Sequence, residues 1–221
     1  MVTSEAVRPI LAVAVVLTCA VPAAAQDPRY EKEVAAYEAR DRVTPPPAGQ
    51  ILFVGSSTMV DWDPAKYFPD LRVINRGLWG SALHDTVRLV DRLVLPYQPR
   101  VVVVYAGDND IDSGQTSEDI TVQFERFVRA IHAKLPLTKI VFIGIKPSPQ
   151  RWMTVDRARL TNEMIRAVCG RDDRLAFLDV DGAMLGWDEK PRRELFAEDG
   201  LHLSPQGYQI WTVLLRPLLS P

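Results

Sequence analysis

The run Val101-Val102-Val103-Val104-Tyr105 constrains the fold most. Four β-branched residues and an aromatic follow one another with no polar break, the pattern of a buried strand. A second apolar run, Ile51 to Val54, is bounded by a turn signal and reads as a strand buried on both faces, as in a parallel sheet. Arg72 to Asn75 (stopped by Gly77 and Gly80), Lys139 to Ile145 and Leu175 to Val180 supply three more strands. Helical periodicity fills the gaps. Leu83 to Leu95 has apolar positions at 83, 87, 90 and 94, Ser117 to Leu135 is amphipathic, and Val155 to Val168 is helical. Ser204-Pro205 reads as an N-cap with a first-turn proline, opening a last helix to about Leu215. Strands alternating with helices predict right-handed crossovers and a five-stranded, mainly parallel sheet covered on both faces.

The N-terminal end reads differently. Met1 to Arg8 carry one arginine, Ile10 to Val21 form an apolar run of signal-peptide length, and Ala23-Ala24-Ala25 supplies small residues for cleavage before Gln26. The run is short for a bilayer span. Cys19 does not sit in a lipoprotein pattern, because Thr18 stands where a smaller residue is needed. The expected division is therefore a signal peptide over 1–25, a helix and proline-rich lead-in over 26–49, and one domain over 50–221. In the lead-in, Asp27 to Arg42 is charged with Tyr30, Val34 and Tyr37 at helical spacing, the pattern of a surface helix, and Pro45-Pro46-Pro47 forms a stiff extended run. Removing 25 residues from 221 leaves 196, enough for a single sizeable core. The formal charge of −2 offers no basic footprint for nucleic acid. Cys169, the one cysteine left after cleavage, falls inside a helical apolar pattern and reads as a small buried hydrophobe.

Four polar features fall just beyond strands or just before the last helix: Gly55-Ser56-Ser57, Asn75 to Gly80, Gly107-Asp108-Asn109-Asp110 and Asp199-Gly200-Leu201-His202. In a parallel sheet the first three arrive at one edge, and the loop before the final helix can fold back to it. Together they hold the parts of acyl transfer. A serine needs a base, for which His202 is the candidate, and the base needs a carboxylate, for which Asp199 is three residues away. The Ser57 N–H, the Gly80 N–H and the Asn109 side-chain amide can serve as oxyanion donors. Each piece also has a plainer reading. Ser56 and Ser57 suit a strand end and helix cap, Asn109 a turn, and Asp199 and His202 a polar helix start.

On these four blocks, taken in order, the chain resembles the SGNH or GDSL-type serine esterases and lipases, over about residues 50 to 215. The resemblance implies a flavodoxin-like three-layer α/β/α sandwich. It implies Ser57 as nucleophile, Asp199 and His202 as its partners, and Ser57, Gly80 and Asn109 as oxyanion donors. It implies no cofactor and no metal. Two departures stand out. Ser56 occupies a position where the family usually has aspartate. Met59 lies two residues beyond Ser57, so the Gly-x-Ser-x-Gly elbow of α/β-hydrolases is missing.

Other residues carry weaker signals. Asp108, Asp110 and Asp112 alternate like a calcium loop, but the glycine falls at 114 and position twelve is Asp119. His84 and His132 have charged neighbours and read as solvated. Of Trp62, Trp79, Trp152 and Trp187, only Trp79 sits inside a site block. The expected function is an exported hydrolase, secreted or periplasmic, acting on short-acyl carboxylic esters of a small-molecule, carbohydrate or lipid alcohol. The alternatives are a lysophospholipase or thioesterase for longer chains, or a binding module on the same fold. The flanks of the site are polar or mixed, which favours short acyl groups, although the loop from Lys146 to Thr154 is able to add an apolar surface. Neither a nucleic-acid partner nor a membrane span after signal removal is expected. The oligomeric state is open.

Overall fold

The computed structural model describes residues 28–219; the predicted signal segment and its cleavage point lie outside them. A 3₁₀ turn at Pro28–Tyr30 leads into α1 (Glu31–Val43), followed by β1 (Ile51–Gly55), α2 (Ser57–Val60), α3 (Pro64–Tyr67) and β2 (Val73–Gly77). Next come α4 (Leu83–Arg88), α5 (Val90–Leu93), β3 (Val101–Tyr105), α6 (Asp108–Asp112), α7 (Ser117–His132) and β4 (Lys139–Ile143). The chain ends through α8 (Val155–Cys169), β5 (Leu175–Leu178) and α9 (Pro205–Leu215). The five strands form one sheet in the order β2-β1-β3-β4-β5, with every pairing parallel.

Side chains alternate along each strand and so build two cores. Leu52, Val54, Val102, Val104, Ile140 and Phe142 face α1, α4, α5, α7 and α8 through residues such as Val34, Leu83, Phe124 and Ile165. Ile51, Phe53, Val101, Val103, Tyr105 and Val141 face α2, α3 and α9 through Met59, Trp62, Tyr67 and Trp211. The result is the expected α/β/α sandwich. After β2 the chain passes over β1 to lay down β3 on its far side. That reversal of direction is the topological switch point, where an open parallel sheet leaves a crevice beyond its carboxyl ends.

Three differences from the sequence reading have physical causes. β2 runs through Gly77 and does not stop before it. Gly77 pairs with Gly55 of β1, and its missing side chain makes room for α2, since a Cβ there would lie 2.6 Å from the Val60 nitrogen. The stripe from Leu83 divides into α4 and α5 at Leu89, while Val90 and Val94 keep the same buried face; the pattern records burial and is blind to the break. The lead-in helix packs onto the fold: Val34 is fully buried, Arg76 Nη2 donates to both carboxylate oxygens of Asp41, and Arg92 reaches Glu31 and Glu38.

Candidate active site

Gly55 ends β1 with φ +122, and a Cβ there would sit 1.9 Å from the Tyr105 carbonyl oxygen. Only glycine lets β1 turn this close to β3. The turn leaves Ser56 extended at the N-cap and Ser57 as the first residue of α2. Ser57 Oγ lies 2.9 Å from His202 Nε2, and His202 Nδ1 lies 2.6 Å from Asp199 Oδ2. Asp199 Oδ1 accepts from the backbone N–H groups of Leu201 and His202, which fixes the carboxylate in its own loop. Burial pushes the Asp199 carboxyl up, but the bonds from the His202 ring and the two backbone groups outweigh it and hold it at about 2. The loop is fastened from behind. Phe196 bridges to Leu203, and Ser204 caps α9 by accepting from the Gly207 N–H.

Gly80 is exposed at φ +68, a conformation suited to glycine, and a Cβ there would meet nothing within 4 Å. The Asn109 amide nitrogen donates to the Ser81 carbonyl at 3.0 Å, so the amide lies against the Gly80 loop. Asp110 clips the same loop by accepting from the Leu83 N–H with both oxygens at 3.0 Å. Trp79 is half exposed and sets its ring 5.7 Å from that of His202, edge on. The structure therefore brings Ser57, Asp199 and His202 into one hydrogen-bonded chain. It places Gly80 and Asn109 in a second cluster that touches the first through Trp79.

Several residues around the site escaped the sequence reading. Lys146 is buried just past β4, and its ammonium contacts Thr58 Oγ1 at 3.2 Å, Tyr105 OH at 2.9 Å and Asp108 Oδ2 at 2.9 Å. Burial pulls the lysine down in pKa while Asp108 pulls it up, and burial prevails. Burial pushes Asp108 up, but Lys146 and Arg151 overcome that and leave it below its ordinary value. The signal was a charged residue shortly past the end of a buried strand, at 108 after β3 and again at 146 after β4. The alternating aspartates divide their work: Asp108 pairs with Lys146, Asp110 holds Leu83, and Asp112 takes Arg151. Ser56 Oγ is buried without a hydrogen-bond partner among the described residues, so the departure from aspartate leaves a hydroxyl unused. Of the remaining marked residues, Trp62 is core, Trp187 is 99% exposed and His84 is exposed. His132 is half-buried with Nε2 2.9 Å from the Thr138 carbonyl. Cys169 is buried as expected, which pushes its thiol up to about 12. A concavity of about 800 Å³ between α1 and the edge strand β2, near Tyr37 and Arg76, does not include Ser57, so volume does not locate the chemistry.

A parallel three-layer α/β/α sandwich thus carries a hydroxyl–imidazole–carboxylate chain at its switch point, an arrangement suited to acyl transfer. The chain belongs to the GDSL-like Lipase/Acylhydrolase family, whose model matches residues 57–210, and so to the SGNH/GDSL hydrolases. Among curated relatives, it is 27% identical to platelet-activating factor acetylhydrolase IB subunit alpha1 of Homo sapiens, over 78% of this chain and 82% of that one. Among solved structures, one from Streptococcus pneumonia named for a platelet activating factor has a TM-score of 0.78 at 20% identity, covering 87% of this chain and 93% of the other. A GDSL-like lipase from Bacteroides thetaiotaomicron has a TM-score of 0.71 at 18% identity, covering 84% and 96%. These structures share the fold.

Proposed function

We propose that the protein is an exported serine hydrolase that cleaves short-acyl carboxylic esters through an acyl-enzyme on Ser57. The observation that carries this reading is the unbroken path from Ser57 Oγ to His202 Nε2 and from His202 Nδ1 to Asp199, at 2.9 and 2.6 Å. In the first half-reaction Ser57 Oγ attacks the ester carbonyl and its proton passes to His202 Nε2. Asp199, ionised at any working pH, accepts the Nδ1–H bond and stabilises the imidazolium. Charge develops on the carbonyl oxygen, where the Ser57 and Gly80 N–H groups and the Asn109 amide serve as donors. Collapse expels the alcohol, which takes the proton from His202. In the second half-reaction water attacks the acyl carbon, gives its proton to His202, and the carboxylic acid leaves as Ser57 regains its hydrogen.

The short-acyl preference rests on three supports. A human relative bears the name acetylhydrolase. Trp79 stands as a wall beside the base. In the Lys146–Thr154 loop Arg151 turns toward Asn109, Trp152 lies against Arg159 and Lys190, and Met153 is 95% exposed. A long chain would gain roughly 0.8 kcal/mol per buried CH₂ only where a groove receives it. Export rests on the apolar run at 10–21 followed by three alanines. The test is kcat/KM across p-nitrophenyl esters from acetate to palmitate, with fluorophosphonate capture on the wild type and on Ser57→Ala. Capture at Ser57 and a maximum at two to four carbons are expected. A maximum at about ten carbons or beyond moves the protein to lysophospholipase or thioesterase chemistry. Absence of capture points to a binding module.

A further inference from the structure

We infer that Arg151 is a positioning residue for the oxyanion: it fixes and polarises the side-chain amide of Asn109. This rests on the serine-hydrolase reading of the site. A carboxamide has one acceptor and two N–H donors, and can be turned by 180° at little steric cost. Here both ends are read at once. Asn109 Nδ2 donates to the Ser81 carbonyl at 3.0 Å, and Asn109 Oδ1 accepts from Arg151 Nη2 at 3.0 Å. Turning the amide over would set two acceptors face to face at Ser81 and two donors face to face at Arg151. Only one orientation survives, and in it a single Nδ2–H is left to meet a substrate oxygen.

The guanidinium is itself held. Its Nη2 also donates to Asp112 Oδ2 at 3.3 Å, and its buried Nη1 makes a 3.3 Å ion pair with Asp108 Oδ2 without a hydrogen bond, with the side chain only 15% exposed. Asp108 is the residue before Asn109. It accepts from the Asn109 N–H at 2.9 Å, from Tyr105 OH at 3.1 Å and from Lys146 at 2.9 Å. The buried set around Asn109 thus holds two cations, Lys146 and Arg151, with two buried carboxylates, Asp108 on the cation side and Asp110 turned to the Leu83 N–H. Asp112 adds a third carboxylate, but its side chain is 63% exposed. What acts on the amide is the direct bond: a cation bonded to the carbonyl end of an amide strengthens its N–H as a donor, and Arg151 is bonded to Asn109 Oδ1. The neighbouring Gln150 N–H donates to the Gly200 carbonyl at 3.0 Å, so the segment that delivers Arg151 also braces the Asp199–His202 loop. A clamp with no electrostatic role would be expected to change stability; this arrangement should change the rate.

The test uses p-nitrophenyl acetate turnover and the rate of fluorophosphonate labelling, with thermal midpoints measured alongside. Arg151→Ala is expected to lower kcat by about 10- to 100-fold, less than loss of the donor itself, with KM within about twofold. The labelling rate should fall in parallel, because the phosphoryl oxygen occupies the same hole. Arg151→Lys, which keeps the charge and one donor, should recover part of the loss and remains informative if the alanine variant does not fold. In an Asn109→Ala background, adding Arg151→Ala should cost little more, since the residue acts through that amide. Full additivity of the two substitutions, or a raised KM at unchanged kcat, would overturn the proposal. Full turnover by Ser57→Ala would overturn the site reading beneath it, an outcome distinct from a neutral Arg151→Ala beside an inactive Ser57→Ala, which sinks the Arg151 role alone.

Discussion

At the scale of the residue, this site is a set of carboxylates given opposite tasks by their surroundings. Asp199 collects three donors and is held at about 2, whereas burial raises Asp110 to about 6 even though it accepts from the Leu83 N–H. The second value has a consequence for stability. An unfolded aspartate loses its proton near about 3.9, but folded Asp110 keeps it to about 6, so between those limits the folded state binds more protons. Stability from this group is therefore full below the lower limit and is lost as pH rises through the upper one. Asp110→Asn removes the titration. Its thermal midpoint, relative to wild type, should rise between about pH 4 and pH 7; a constant offset would show that Asp110 is ionised throughout. Ser57, Gly80, Asn109, Asp199 and His202 were legible as motif positions; the structure hydrogen-bonds Ser57, His202 and Asp199 in one chain and sets Asn109 against the Gly80 loop. Lys146 was legible only as a charge past a buried strand, and Arg151 not at all, because a lone basic residue in a loop has no spacing partner. Their meaning comes from Asp108, about forty residues away in sequence.

At the scale of the element, strands were easier to read than helices. β3 and β1 are apolar on both faces, so no choice of register hides them, and β3 begins and ends as read at Val101 and Tyr105. α2 and α6 span four and five residues, less than two turns, and periodicity has nothing to repeat over such lengths. They were seen as motifs before they were seen as helices. β2 shows the opposite failure, because Gly77 was read as a stop and is a paired strand residue kept small for α2. Gly55 is the stricter case. Gly55→Ala puts a methyl against the Tyr105 carbonyl in a backbone region closed to alanine. The expected cost exceeds about 4 kcal/mol, a drop in thermal midpoint on the order of 10 °C, with loss of fluorophosphonate capture because Ser57 moves. A soluble Gly55→Ala variant with an unchanged midpoint would show that β1 and β3 separate more readily than their register implies.

At the scale of the whole molecule, the site is closed by the end of the chain. Ser57 follows the first strand, but its partners come from the loop before the last helix, and α9 seats Trp211 5.1 Å from Tyr105 and 5.7 Å from Trp62. Trp211 is fully buried, and truncation of so large a core side chain costs about 3–5 kcal/mol. A chain ending at residue 198 should neither hold the α9 face together nor carry a base, and should show no capture at Ser57; labelling of that serine would mean its activation does not depend on His202. Seen in time, the same arrangement sets a sequence of events. A ribosome makes Ser57 long before it makes His202, at about 5–20 residues per second. On the proposed mechanism the serine would be an ordinary alcohol through that interval and would gain its reactivity when the His202 loop and α9 dock. On the proposed chemistry the growing chain would be inert toward esters until then, and the onset of activity would report that α9 has met the sheet.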